Sequence, residues 1–365
     1  MDDGGAEAVL YRLIIAGNKN RHSVVSLTSI GKYGPLLKAA GISVRTLGMQ
    51  RRRISLGGLV NLYRIIRQQK PDIVQTWMYH ADLIGGLIAR ISGASIVIWG
   101  IHNDDISPDK IQLSTRNTVF ILVVLSYIIP QAIITCSTRV ASSHRKLGYQ
   151  SNKITVISNG LDLGVFSVRQ GAQTALRKEW NIKDDVPLLG MVARWDPQKD
   201  HSNLLSALAI LSDKKIEFFC VLIGEGLEKS NLSIKQLIDE NNLTKKIILT
   251  GPRTDIPEVM SALDLHILSS VNEAFSIVVT EAMACGTPCV STDVGACKNI
   301  MGDTGWLVKK ENSKQLSEAI ETALLEQRKQ SEKWNRRRNR CRSRIEKYYS
   351  QSIMLSKYQK LWLTN

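Results

Sequence analysis

Short apolar runs rich in β-branched residues recur along the chain, with helical-length stretches between most of them. In the first half they cover residues 22–27, 42–47, 72–76, 95–99, 132–136 and 153–157. In the second half they cover 188–193, 218–223, 247–249, 265–268, 288–291 and 306–308. Strands that are apolar on both faces belong in parallel sheets covered by helices on either side. Two such series in succession predict an α/β protein made of two doubly wound, Rossmann-like domains. The expected first domain is 1–165 and the second 166–345, with a terminal helix in 346–365. A turn-rich stretch, Ser158-Asn159-Gly160-Leu161-Asp162, marks the boundary. A chain of 365 residues has room for about two domains.

One apolar segment invites a membrane reading. Residues 118–135 read TVFILVVLSYIIPQAIIT, but the unbroken apolar run is only Val119 to Leu125, and Ser126, Pro130 and Gln131 then interrupt it. A spanning helix needs about 20 apolar residues. The segment therefore predicts a buried helix, then Pro130, then the strand from Ala132. The other reading is a helix lying against a membrane surface.

Composition narrows the class. Hydrophobic residues at 44% and charged residues at 22% exclude a disordered chain. The balance of 48 Lys and Arg against 33 Asp and Glu predicts an anionic partner: a phosphate ligand, a nucleic acid or an acidic membrane face. The excess is uneven, since residues 1–165 hold 19 basic and 9 acidic side chains and include Arg51-Arg52-Arg53. The Arg-rich stretch around 336–344 reads as a solvated helix face. Six cysteines without a C-x-x-C pair, and a start lacking a basic, apolar leader, predict free thiols in a reducing cytoplasm. Cys285, Cys289 and Cys297 read as small buried apolar residues, and no metal site is expected.

Three motifs carry the chemistry. Gly4-Gly5 precedes a helical pattern, and such a pair lets backbone N–H groups approach a phosphate. Arg194 and Lys199 follow the first strand of the second series, where a planar guanidinium fork and a point charge can together hold a diphosphate. Glu273-Ala274-Phe275-Ser276 leads into a helix carrying Glu281, followed by Ala282-Met283-Ala284-Cys285-Gly286-Thr287-Pro288. A carboxylate accepts two hydroxyl hydrogen bonds at once, which suits a sugar or a ribose diol, and the helix start near Ser276 suits a phosphate.

In this order and spacing the motifs resemble the large retaining glycosyltransferase family 4, whose members have the GT-B fold. Supporting stretches are 156–162, Gly224-Glu225-Gly226, 255–258 and 292–295. The resemblance implies donor-diphosphate contacts for Arg194 and Lys199, ribose contacts for Glu281 and sugar contacts for Glu273. It places Gly5, Gly224 and residues Ala274, Phe275 and Ser276 against the donor, and His102 near the reacting sugar. His102, Glu273, Arg194 and Lys199 are then the expected catalytic group. The implied reaction moves a sugar from a UDP- or GDP-sugar to an acceptor hydroxyl in a cleft between domains, with no cofactor and no metal. The implied acceptor is a saccharide, lipid-linked, in cell-surface polysaccharide synthesis such as that of lipopolysaccharide. The implied location is the cytoplasm or the inner membrane face, with no nucleic-acid partner. Three alternatives share some of these features: a nucleotide-sugar 2-epimerase, a sucrose- or trehalose-type synthase, and a basic non-catalytic protein binding nucleic acid or membrane.

The sequence departs from the family pattern in three places. Ala274 stands where Gly is usual, and Ser276 where Gly or Pro is frequent. Members also carry an apolar strand before the Gly-Gly loop, which Met1-Asp2-Asp3 cannot supply. The first sheet is therefore expected to lack its central strand, with the strands near His22 and Ser95 flanking the gap.

Overall fold

The computed structural model describes residues 4–17, 22–50, 55–103 and 113–364. Met1-Asp2-Asp3 and Arg51-Arg52-Arg53 lie outside them. The chain divides into two compact units, one of 1–160 with 351–365 and the other of 161–350.

In the first unit α1 (Gly5–Ala16) leads to β1 (Ser23–Ser26), α2 (Tyr33–Ala39), β2 (Ser43–Thr46) and α3 (Leu56–Gln69). Then follow β3 (Ile73–Gln75), α4 (Tyr79–Ile91), β4 (Ile96–Ile101), α5 (Leu113–Leu125), β5 (Ala132–Thr135), α6 (Thr138–Lys146) and β6 (Ile154–Val156). The strands make two sheets, β1-β2 and β3-β4-β5-β6, every pair parallel. Among the described residues no ladder joins β1 to β3. The divided sheet fits the expectation of an interrupted centre, but one flank needs correction. The strand from Ile96 is interior, paired with β3 and β5, and the edge strand on that side of the sheet is β3. The short run at Ile73–Gln75 outranks the more apolar one because position is set by the crossovers, which the apolar pattern does not encode.

The second unit begins with α7 (Ala172–Glu179), β7 (Leu188–Val192), α8 (His201–Asp213), β8 (Phe219–Ile223), α9 (Leu232–Glu240), β9 (Ile247–Gly251) and α10 (Ile256–Ala262). It continues with β10 (Leu265–Leu268), α11 (Ile277–Ala284), β11 (Cys289–Thr292), α12 (Cys297–Met301), β12 (Trp306–Val308), α13 (Ser313–Lys329) and α14 (Ser331–Tyr348). Its six strands run in the order β12-β11-β10-β7-β8-β9, all parallel. The order reverses between β7 and β10, and the ligand crevice of such a sheet opens at the carboxyl ends of the strands at that point. Fully buried Leu189, Met191, Leu222, Ile267 and Val290 on the strands meet Leu204 and Leu208 of α8 and Leu316 and Ile320 of α13. A buried ion pair, Arg177–Asp264 at 2.7 Å, ties α7 to the start of β7 through the Leu188 N–H, which Asp264 also accepts.

The last helix, α15 (Gln351–Thr364), belongs to the first unit. Gln351 donates to Arg12 O, and the Trp362 indole donates to Gln75 Oε1.

Two helix readings change. Helix α5 is not simply buried: Val119 and Leu122 face inward, while Phe120, Ile121 and Val124 are exposed. An apolar run around a helix fills both faces, and the core takes only one of them. Helix α14 is not a bare solvated face. Arg342 donates to Ala284 O at the end of α11, and Arg344 donates to Ile300 O and Asn299 O in α12. Helix ends leave carbonyls without intrahelical partners, and guanidinium groups suit them.

Candidate active site

Four loops at the carboxyl ends of neighbouring strands meet in the second unit. The loop after β7 carries Arg194 to Asp200. Ala193 N–H donates to Ile223 O, and Trp195 N–H donates to Glu225 O, which lays this loop along the one after β8. The join requires Gly224: its φ is +145°, and a Cβ there would lie 2.1 Å from Ala193 O. The loop after β10 is clamped to the first by Ser269 Oγ, which donates to Lys199 O and Asp200 O, and by Val271 N–H to Gln198 O. The loop after β11 brings Gly295, at φ +52°, under the backbone of Glu273, where a Cβ would lie 2.3 Å from Glu273 O.

These clamps position the polar side chains. Lys199 Nζ donates to Glu273 Oε1 at 2.6 Å, and Ser270 Oγ donates to the same oxygen at 2.9 Å. Arg194 leaves the group toward solvent, 57% exposed, with its Nε donating to Asp196 at 3.0 Å. Burial works against the Asp196 charge, yet the Gln198 N–H and Arg194 hold its carboxyl below the usual range. Asp196 also starts a single 3-10 turn over Pro197–Lys199, which delivers Lys199 to Glu273.

Helix α11 begins beside this group. Ser276 is its N-cap, yet the hydroxyl bonds no helix N–H and sits beside the Cys297 thiol. Ala274 does not hold a positive φ, so the position makes no demand for glycine, and Phe275 is buried against the Tyr349 ring. Glu281 is buried on the same helix rather than set on its surface. Cys285, Cys289 and Cys297 are buried, and among the described residues no group of three or more His, Cys, Asp and Glu could hold a metal ion.

Gly5 and His102 lie in the first unit. Gly5 opens α1, and the Trp77 indole donates to Ala6 O at 3.0 Å. The Trp77 ring stacks on His102 with centroids 4.4 Å apart. Both His102 ring nitrogens are buried without a partner, and desolvation lowers its pKa to about 3. Met78 holds the strained φ of +76°, with its N–H donating to Gly100 O two residues before His102. Sequence reasoning missed Trp77 and Ser270, while Asp196 and Gly295 stood within the motif stretches without an assigned role. Only an aromatic residue directly after the β3 run hinted at the first.

Two parallel α/β units, one with charged and hydroxyl groups gathered at its switch point, place those groups where sheets of this kind bind their ligands. Residues 172–341 match the family described as Glycosyl transferases group 1, and residues 3–165 the one described as Glycosyltransferase Family 4. The chain belongs to the family 4 glycosyltransferases and has their GT-B fold. Among its relatives is the UDP-Gal:alpha-D-GlcNAc-diphosphoundecaprenol alpha-1,3-galactosyltransferase of Escherichia coli, 27% identical over 72% of this chain and 69% of the relative. The N,N'-diacetylbacillosaminyl-diphospho-undecaprenol alpha-1,3-N-acetylgalactosaminyltransferase of Campylobacter jejuni is 26% identical over 99% of this chain and 97% of its own. The solved structure of HepE from Anabaena in complex with UDP superposes with a TM-score of 0.86 at 20% identity, covering 99% of this chain and 97% of that one.

Proposed function

We propose that this glycosyltransferase moves a sugar from a UDP-sugar to a hydroxyl of a lipid-diphosphate-linked saccharide, with retention of configuration, in cell-surface polysaccharide synthesis. The observation that carries the reading is the convergence of Lys199, Glu273 and the start of α11 at one switch point, with the exposed Arg194 on the same loop as Lys199. The names of the Escherichia coli and Campylobacter relatives support a diphosphate-linked lipid acceptor, and the first of them supports UDP.

In the proposed reaction Arg194, Lys199 and the free N–H groups of α11 take the charge that grows on the leaving diphosphate. Glu281 accepts the ribose hydroxyls, and Glu273 the hydroxyls of the transferred sugar. The acceptor hydroxyl attacks the anomeric carbon from the face the diphosphate leaves, and its proton passes to a phosphate oxygen. Burial keeps His102 neutral, so the part proposed for it is a hydrogen bond and no charge. Protein cations serve the departing phosphate in place of a metal ion.

The test is titration of UDP, with GDP as the comparison, into the native chain and the Glu281→Ala and Arg194→Ala variants. Truncating a charged partner at a buried site costs about 2–5 kcal/mol, with the more exposed Arg194 at or below the lower end. A tenfold or larger loss of UDP affinity in Glu281→Ala is expected. Unchanged affinity in both variants would overturn the assignment.

A further inference from the structure

Helix α5 carries two apolar faces. Val119, Leu122 and Ile129 turn into the first unit, and the chain continues as a helical turn to Ile129 through bonds to Val124 O and Leu125 O. The opposite stripe, Phe120, Ile121, Val124 and Ile128, follows the spacing of one helix face and is exposed, 71% at Ile128. Adjacent α4 adds exposed Leu87 and Ile91, one turn apart. Helix α3, packed on α4, adds Leu56 and Val60 with the same spacing. Soluble surfaces rarely gather apolar side chains in this way without a partner.

The charge on these helices narrows the partner to an anionic one. Across 56–69, 79–91 and 113–125 the single acidic residue is Asp82, which is fully buried against Thr76. Exposed Arg64, Arg67 and Arg116 border the apolar stripes, and the Arg116 guanidinium lies 5.7 Å from the Phe120 ring centroid. A second copy docking here would set cations against cations with no carboxylate to pair them. An anionic bilayer offers both complements: acyl chains for the stripe and headgroup phosphates for the guanidinium groups.

We propose that the outer face of α3, α4 and α5 docks on an anionic lipid surface, with Phe120, Ile121, Val124 and Ile128 entering the interface. The inference deepens the lipid-linked acceptor reading and rests on it for the choice of a bilayer as partner. Flotation of the full chain with phosphatidylglycerol–phosphatidylethanolamine vesicles, against phosphatidylcholine vesicles, tests it. Binding to the anionic vesicles is expected, weakened by salt, and reduced at least tenfold in the Ile121→Glu/Val124→Glu double variant. Leu87→Gln/Ile91→Gln, on a different helix, should give a smaller loss in the same direction and covers the case in which the first variant misfolds. UDP affinity must stay native in both variants, which separates failure here from failure of the proposed donor site. No binding, equal binding to neutral vesicles, unchanged binding in both variants, or a dimer in light scattering that the double variant abolishes, would each overturn the proposal.

Discussion

Lys199 and Ser270 both donate to one oxygen of Glu273, so the carboxylate reports on two loops at once. Lys199→Ala should lower kcat with the donor by about 10²–10³-fold, in the range seen for removal of one preorganised donor. Steady-state kinetics with a UDP-sugar and a supplied acceptor measures this, and a change in KM alone would show that Lys199 acts in binding only. His102 bears on pH instead. Desolvation lowers its pKa to about 3, so it stays neutral from pH 5 to 8. The kcat profile should then show no limb near pH 6.5 owing to it. A limb there that His102→Gln removes would contradict the assignment. At this scale the charged residues were singled out through the family resemblance, since a lone Arg, Lys or Glu reads equally well as a solvated surface charge. Trp77 was not, since its partners Ala6 and His102 lie far from it in the chain.

Elements hold together through a few buried polar links. Asp264 accepts from Arg177, Gln173 and the Leu188 N–H, and burial raises its carboxyl against those stabilising bonds. Asp264→Ala leaves the Arg177 guanidinium buried and unpaired, and should cost about 3–5 kcal/mol in denaturant unfolding. Arg342→Ala removes donors to Phe166 O and Ala284 O, and should cost about 1–3 kcal/mol. The strands were legible because parallel strands buried on both faces leave unbroken apolar runs. The outward stripe of α5 was hidden for the same reason, since an apolar run does not say which side faces solvent. The arginines of α14 misled because their acceptors are carbonyls, which no side-chain pattern marks.

The whole molecule carries several buried histidines. Burial lowers His144 and His201 to about 4 and His266 to about 3, with His102 as above. The native state stays neutral where the unfolded chain takes up protons, so this stability is complete above pH 6.5 and is lost as pH falls toward 4. Each group adds a slope of up to ~1.4 kcal/mol per pH unit. Asp82 and Asp264, both raised by burial, act in the opposite sense and offset part of it. Guanidinium midpoints should therefore fall between pH 7 and pH 5, and His266→Leu should lessen the fall. The two sheets of the first unit bear on local stability. The β1-β2 pair spans only four residues per strand and rests on a small cluster of Ile14, Leu37 and Ile42, a fraction of the core that covers the second unit's sheet. Amide exchange at Val24 and Val44 should be much faster than at Leu189 and Ile267, and equal protection would show that β1-β2 is supported elsewhere. The two-domain plan was legible in the rhythm of strands, whereas sheet order was not, because it is written in the crossovers.

In the proposed reaction the Lys199–Glu273 contact also discriminates between ligands. The two charges already neutralise each other, so a bare phosphate meets a lysine whose charge is offset and a carboxylate that repels it. A bare sugar finds hydroxyl acceptors on the carboxylate and nothing that needs its neighbour. A molecule carrying an anion and hydroxyls at the right separation engages both groups, and the proposed site would then act as a coincidence detector for the two.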